Sequence, residues 1–124
     1  MLRLLNPGTD DAILSQRLND MKAYNYHCIG VCDEQQLVGI CGFWILCKHY
    51  IGKHIEPDNV VILPEYRNKQ LGELMMQWIE EYAVKEGCVA LELNCYIGNQ
   101  KGLKFWFRRG YTMLGFHLRK NLDK

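Results

Sequence analysis

A short basic turn that leads directly into a helix is the part of the chain best suited to chemistry. It reads Arg67-Asn68-Lys69-Gln70, and the predicted helix that follows has Gly72 in its first turn. The first N–H groups of a helix have no partner within the helix, and the helix dipole adds partial positive charge there. Such a turn can hold a phosphate or diphosphate, because its two cations flank free amides and the glycine allows close approach. A plain loop with solvated cations and a packing glycine fits the same residues.

Composition limits the classes of protein to consider. The 124 residues are 48% hydrophobic and 23% charged, which indicates a single domain, 1–124, with an ordinary core. The net charge of +1, from 15 basic and 14 acidic residues, argues against a general nucleic-acid binder. No apolar run approaches the roughly 20 residues needed to cross a bilayer, and the N-terminus shows no secretory signal. We expect a cytoplasmic protein without nucleic-acid or membrane partners.

The six cysteines are predicted to be buried free thiols. No C-x-x-C occurs, and the chain lacks the loop-rich character of a disulfide-stapled secreted domain. A zinc site would need better-grouped ligands. We therefore predict no metal site.

The pattern of apolar residues and turns predicts one α/β domain. A helix over 10–23, capped by Thr9 or Asp10, precedes two strands that form an antiparallel hairpin. A strand, a helix and a strand across 60–96 imply a parallel pair with a right-handed crossover, and Gly87 ends that helix. The sheet is therefore mixed antiparallel and parallel and is flanked by helices. The predicted strands cover 26–34, 36–47, 54–63, 88–96 and 111–119, and the later helices cover 70–86 and 99–109.

The stretch 60–76, "VVILPEYRNKQLGELMM", resembles the cofactor motif of the GNAT superfamily of N-acetyltransferases. The later "NQKGLKFWFRRGY", 99–111, is similar to the next signature of that family. "HIEPDNVV" and the closing "GFHL" are similar to a subgroup of small bacterial members. The resemblance covers 54–117 and implies a GNAT-like fold, acetyl-CoA as co-substrate and transfer of its acetyl group to an amine.

The resemblance also implies roles for particular residues. The backbone of the strand before the turn would pair with the pantetheine arm of acetyl-CoA like an added strand. The amides of the turn would hold the diphosphate, with Arg67 at its first position. Asn99 would lie beside the pantetheine, where two parallel strands separate. The implied cofactor-binding residues are Val60, Val61, Ile62, Arg67, Asn68, Lys69, Gln70, Leu71, Gly72, Glu73, Asn99 and Trp106.

Three features depart from the family pattern. Gln70 stands where the family has its middle glycine, so a positive φ there would strain the glutamine. Trp106 replaces the tyrosine usually credited with protonating the departing thiolate, and an indole N–H is no general acid at neutral pH. The part of the chain before the first hairpin is short, which favours an acceptor site that is open or completed by a partner in a homodimer.

The acceptor side needs a group that takes a proton from the amine. Asp58 and Glu56 are the carboxylates nearest the mouth of the third strand, and Asp58 fits the acidic position of the subgroup better. Tyr111 and His117 could act through water. Both carboxylates could instead be surface charges, and Cys95 with His117 could carry the acyl group.

These residues lead to one principal prediction and two alternatives. The principal prediction is an N-acetyltransferase that moves an acetyl group directly from acetyl-CoA to a primary amine of a small molecule or peptide. A degenerate acyl-CoA-binding protein with little or no catalysis is the first alternative, because of Gln70 and Trp106. An interaction module without a cofactor is the second. Phe43 and Trp44 point to opposite faces of their strand, so one of them could line an acceptor pocket.

Overall fold

The protein is seen in a computed structural model that describes residue 5 and residues 7–122. Its described residues form two compact units, one that ends at Leu93 and one that begins at Asn94. The first unit contains α1 (Asp11–Lys22), β1 (Tyr26–Asp33), β2 (Gln36–Lys48), β3 (Gly52–Ile62), a 3₁₀ turn (Pro64–Tyr66) and α2 (Leu71–Lys85); the second contains α3 (Gln100–Arg108). None of these helices is long and apolar enough to span a membrane.

The sheet of the first unit is mixed, as predicted. Strands β1, β2 and β3 pair in that order and antiparallel. The segment after α2 lies parallel to β3, with Val89 N–H donating to Lys53 O at 3.0 Å and Ile55 N–H donating to Ala90 O at 3.2 Å. Glu92 N–H donates back to Ile55 O at 3.0 Å. The second parallel segment of the crossover unit therefore begins where the sequence predicts it.

The parallel pairing is shorter than predicted because the next residue of β3 that faces this edge is Pro57, which has no N–H to donate. The predicted strand over 88–96 is therefore wrong beyond Glu92, whose N–H makes the last described bond to β3. A bulge follows two residues after Pro57. Gly42 faces Asp58 and Cys41 faces Val60, so Asn59 is left between them as an extra residue with φ of 61°. A bulge bends its strand and increases the local twist.

The predicted strand over 111–119 is also wrong. The described residues 111–122 contain no strand and no ladder bonds. A strand is stabilised by a hydrogen-bonded neighbour, and apolar periodicity alone does not supply one.

Helix α2 supplies much of the core of the first unit. Met75, Met76 and Ile79 are fully buried on its inner face, together with Phe43 and Ile55 of the sheet. Burial of such side chains is worth about 1.5–3 kcal/mol each.

The prediction that the cysteines are buried is wrong for Cys28, Cys32 and Cys47, which are exposed, and correct for Cys41.

The end of α2 follows the sequence prediction. Gly87 has φ of 78°, and the N–H of Cys88 donates to Ala83 O at 2.9 Å while that of Gly87 donates to Val84 O at 3.1 Å. This is a Schellman motif, for which glycine is the usual residue. The motif turns the chain back to run beside β3.

Candidate active site

The connection between β3 and α2 is a turn with two left-handed residues. After the 3₁₀ turn, Arg67 is extended, and Asn68 and Gln70 have φ of 63° and 62°. Gln70 therefore adopts the backbone conformation that the glycine of the family motif would adopt without strain. The Tyr66 hydroxyl donates to Asp33 Oδ2 at 2.9 Å, which fixes the turn to the loop between β1 and β2.

The start of α2 has no side-chain cap. Asp10 caps α1 by accepting from Ala12 N–H at 3.2 Å, and Asn99 caps α3 by accepting from Gly102 N–H at 3.0 Å. Gln70 occupies the corresponding position of α2 and makes no such bond. The first amides of α2 therefore point out of the helix toward solvent, as an anion site requires.

The two cations of the turn are held close to it. Arg67 Nε donates to Ile62 O at 3.1 Å, which ties the guanidinium to the end of β3. Lys69 Nζ lies 5.2 Å from the centroid of the Tyr66 ring. Both residues remain exposed, so the basic groups are anchored to the turn that precedes the uncapped amides and stay accessible to a ligand.

The carboxyl-terminal part of β3 has an open edge. Leu63 N–H donates to Val38 O at 2.9 Å, so by alternation Val61 also turns its backbone groups toward β2. The backbone groups of Val60 and Ile62 then face the other edge. No strand of the described first unit covers that edge beyond the bulge. The predicted added-strand pairing is therefore available at Val60 and Ile62, and Val61 is turned away from it.

A cavity of about 230 Å³ lies between α1 and the bulged part of the sheet. Asp58 lines it, and its Oδ2 accepts from the indole Nε1–H of Trp44 at 3.0 Å. Of the two aromatic residues considered for such a pocket, Trp44 lines it and Phe43 is buried in the core. The lining residues are Leu14, Arg17, Leu18, Met21, Trp44, Asp58 and Asn59.

Tyr26 supports the bulge from behind. Asn59 Nδ2 donates to the Tyr26 hydroxyl at 3.2 Å, and the Tyr26 ring lies 5.0 Å from that of Trp44. Burial raises the pKa of Tyr26 to about 12, against the opposing effect of the Asn59 hydrogen bond. A Cβ at Gly42 would overlap the Tyr26 hydroxyl and lie 2.7 Å from Asp58 O, so only glycine fits there without displacing its neighbours.

Glu56, the other predicted carboxylate, belongs to a polar cluster. Its Oε2 lies 2.9 Å from Lys48 Nζ and 2.9 Å from Nε2 of the fully buried His54. Burial would raise the pKa of Glu56, but the hydrogen bonds from Lys48 and His54 lower it overall. His54, Glu56 and Glu92 bring one ligand atom each within 4.8 Å of one another, and the Lys48 ammonium supplies positive charge there. Glu56 is thus engaged by Lys48 and His54, whereas Asp58 faces the cavity.

The remaining predicted residues lie in the second unit. Asn99 caps α3, as described above. Trp106 lies within that helix, with its ring 4.9 Å from that of Phe105 and 5.3 Å from that of Tyr111. The ring of Trp106 is therefore packed between two aromatic neighbours.

Two further groups of the second unit were candidates for the acceptor chemistry. His117 is exposed. Burial raises the pKa of Cys95, so its thiol stays protonated and is a poor nucleophile near neutral pH. This weakens the alternative in which Cys95 carries the acyl group.

Sequence reasoning missed Arg17 and Tyr26. Arg17 lies on the same side of α1 as Leu14 and Leu18, and a cation between these apolar residues was the available signal. Tyr26 opens β1 and carries no local pattern that connects it to Asn59.

A family model described as "Acetyltransferase (GNAT) family" matches residues 3–111 of the chain. The aminoalkylphosphonate N-acetyltransferase of Salmonella typhimurium is 31% identical over 67 residues, which is 54% of this chain and 44% of that enzyme. The putative [ribosomal protein bS18]-alanine N-acetyltransferase of Bacillus subtilis is 26% identical over 116 residues, which is 94% of this chain and 70% of that protein. The chain thus spans less than half the length of the first of these relatives.

Solved structures show the same fold. AAC(6')-Iy, in complex with the bisubstrate analog CoA-S-monomethyl-acetylneamine, matches with a TM-score of 0.79. The match covers 97% of this chain and 86% of that one at 16% identity. At this identity the likeness establishes the architecture and nothing about the acceptor.

Proposed function

Because the chain belongs to the acetyltransferase (GNAT) family, we propose that it is an acetyl-CoA-dependent N-acetyltransferase acting on a primary amine of a small molecule or peptide. The observation that carries the proposal is the uncapped, basic start of α2 beside an open strand edge. Both relatives aligned above are named as N-acetyltransferases. We propose a single acetyltransferase domain over 1–124, and action in the cytoplasm and as a homodimer stays a prediction from the sequence.

The residues of the turn fit the diphosphate of coenzyme A. The amides of 68–73 would donate to its oxygens, and Arg67 and Lys69 would supply the charge-assisted contacts that favour a diphosphate over a neutral ligand. The amide groups of the pantetheine arm would pair with the backbone of Val60 and Ile62 as an added strand does. The family motif also assigns Asn99 and Trp106 a role in cofactor binding, and we propose that role for them from the sequence alone.

Asp58 is the proposed proton acceptor. The neutral amine attacks the thioester carbonyl, a C–N bond forms, the C–S bond breaks and the thiolate takes up a proton. Asp58 lines the cavity, and the Trp44 indole holds one of its oxygens, so the carboxylate can orient an ammonium and accept its proton directly or through water. Glu56, Tyr111 and His117 remain alternative positions for this role.

The place of the usual thiolate-protonating tyrosine is taken by Trp106. An indole cannot act as the acid, so water or another residue would protonate the thiolate. We expect a slower enzyme for this reason. Direct transfer in a ternary complex is favoured over an acyl-enzyme, since the Cys95 thiol is held protonated by burial.

A degenerate acyl-CoA-binding protein is the second candidate. The observation that favours it is Gln70 in the left-handed conformation, where its side chain can crowd the phosphates. It differs from the enzyme in one measurable respect: it binds acetyl-CoA and releases no free thiol when amines are added.

The test is calorimetric titration of coenzyme A and acetyl-CoA into the wild type and an Arg67→Ala, Lys69→Ala double variant. Loss of the charge-assisted contacts should weaken binding by about 1–3 kcal/mol. A Lys22→Ala, Lys85→Ala double variant removes the same charge from the ends of α1 and α2 distant in sequence from the turn, and should bind normally. Absence of binding to the wild type would refute the proposal, and binding without thiol release across an amine panel would leave the degenerate binder.

A further inference from the structure

The inner face of α1 carries a cation in an otherwise apolar stripe. Leu14, Arg17, Leu18 and Met21 are spaced i, i+3, i+4 and i+7, so they share one face of the helix, and all four line the cavity. An arginine normally lies on the solvent face of such a helix. Arg17 is exposed to solvent and also lines the proposed acceptor cavity.

The cavity wall contains two charged groups of opposite sign, Arg17 and Asp58. They do not neutralise each other: within the described residues Arg17 forms no ion pair, and Asp58 Oδ2 is occupied by the Trp44 indole N–H. The other lining residues are three aliphatic or thioether side chains of α1, Trp44 and Asn59. A ligand that fills the cavity therefore meets an anion, a cation and apolar walls between them.

We infer that the acceptor is a small amine that also bears an anionic group, such as a carboxylate, phosphate or phosphonate. This rests on the proposed acetyl transfer. Asp58 takes the ammonium end and Arg17 the anionic end, so the ligand supplies the counter-charge that Arg17 lacks. A guanidinium suits this role because its planar donors bind carboxylates and phosphoryl groups in pairs.

The cavity also argues for a short acceptor. About 230 Å³ is below the roughly 300–1,000 Å³ typical of pockets that enclose drug-sized ligands. We therefore expect a ligand held within the cavity to be small, with its two charged ends separated by a few bonds. A neutral amine would make no charge-assisted contact with Arg17, and a polycation would meet it with like charge.

The experiment compares three amines of matched length in acetyl transfer: 3-aminopropanoate, 3-aminopropylphosphonate and the neutral 3-aminopropanol. The kcat/KM of each anionic amine divided by that of 3-aminopropanol measures the preference, and the two anions separate carboxylate from phosphoryl recognition. Wild type should prefer at least one anionic amine by about tenfold or more, as expected for a charge-assisted contact. Arg17→Gln should abolish most of that preference, and Arg17→Lys should retain part of it.

Lys22→Gln is the matched control, because Lys22 is a cation at the end of the same helix and does not line the cavity. It should leave the preference unchanged. Equal loss in Arg17→Gln and Lys22→Gln, or a wild type that prefers 3-aminopropanol, would overturn the inference while leaving acetyl transfer intact. Calorimetric titration of the same amines in the presence of coenzyme A gives a readout that needs no turnover. Failure of all three amines in both assays, with acetyl-CoA bound, would refute the inference, whereas failure to bind acetyl-CoA would refute the proposed function itself.

Discussion

Replacing Gln70 with glycine should stabilise the protein. Gln70 has φ of 62° and ψ of 22°, a conformation that costs a residue with a Cβ about 1–2 kcal/mol. Part of this gain, about 0.4–1 kcal/mol, is lost again, because glycine gives the unfolded chain more conformational freedom and so favours the unfolded state. The net gain is about 0.5–1 kcal/mol in the free energy of unfolding, which for a chain of this length is a rise in Tm of about 3 °C.

Urea denaturation followed by tryptophan fluorescence measures this gain, and two variants serve as controls. Gln70→Ala keeps the Cβ and therefore the backbone cost, so it should show no comparable gain. Asn68→Gly changes the other left-handed residue of the turn, with φ of 63°, but asparagine tolerates this conformation and little is gained there.

The same Gln70 substitution bears on ligand binding. If the side chain crowds the diphosphate, Gln70→Gly should bind coenzyme A more tightly than the wild type, and Gln70→Ala should lie between them. A glycine variant that is less stable than the wild type would refute the reasoning about strain. A gain equal to that of Asn68→Gly would show that the glutamine has no special cost.

Three further outcomes follow from the acceptor cavity and the bulge. Asp58→Asn keeps an oxygen for the indole N–H but loses the proton acceptor, so steady-state kinetics should show kcat lower by about 100-fold or more. Calorimetry should show an unchanged affinity for coenzyme A. An unchanged kcat would mean that another residue is the base. Gly42→Ala should lower the free energy of unfolding by about 1–3 kcal/mol through overpacking, whereas a Cβ at Gly30 meets only the flexible end of Leu37 at 2.7 Å and should cost less in parallel urea titrations. Because burial raises the pKa of Tyr26 from 10.0 to about 12, the folded protein keeps a proton that the unfolded chain loses. The free energy of unfolding should therefore keep its full value below pH 10 and fall between pH 10 and 12, by at most about 3 kcal/mol. The Tyr26→Phe variant should lose less stability across that range.

The helices were predictable because local chemistry defines their ends. Gly87 ends α2 in a Schellman motif, as its residue type predicts, and Asp10 is the one of the two predicted caps, Thr9 and Asp10, that caps α1. The first three strands were predictable for a similar reason, since β-rich runs bounded by turns leave few alternatives.

The last two strands could not be predicted because a strand depends on a partner. Apolar periodicity over 88–96 indicates an extended segment, but its described bonds to β3 end at Ile55, because Pro57 has no N–H to continue them. The candidate site likewise contains residues that the sequence could identify and residues that only the fold brings together. The turn that contains Arg67 and Gln70 is continuous in sequence and was identified, whereas Arg17 meets Asp58 across 41 positions of chain and only the fold brings both to one cavity.

The bulge at Asn59 connects the two halves of the proposed reaction within the first unit. Before it, Lys53 and Ile55 turn their backbone groups toward the parallel segment. In a regular strand the backbone groups of Pro57, Asn59 and Val61 would next face this edge. Proline has no N–H to donate. One inserted residue shifts this alternation, so that Val60 and Ile62 face the open edge and Val61 faces β2.

The same extra residue also determines the position of Asp58 at the acceptor cavity. The side-chain amide of Asn59 donates a hydrogen bond to the Tyr26 hydroxyl. Tyr26 and the backbone of Asp58 pack closely against Gly42, which leaves little room for the chain to shift. Asp58, one residue before the bulge, is thereby fixed at the cavity while Val60, one residue after it, begins the edge that would receive pantetheine. The proposed proton acceptor and the start of the proposed cofactor edge are therefore two residues apart in sequence. The backbone of the single asparagine between them determines their relative orientation.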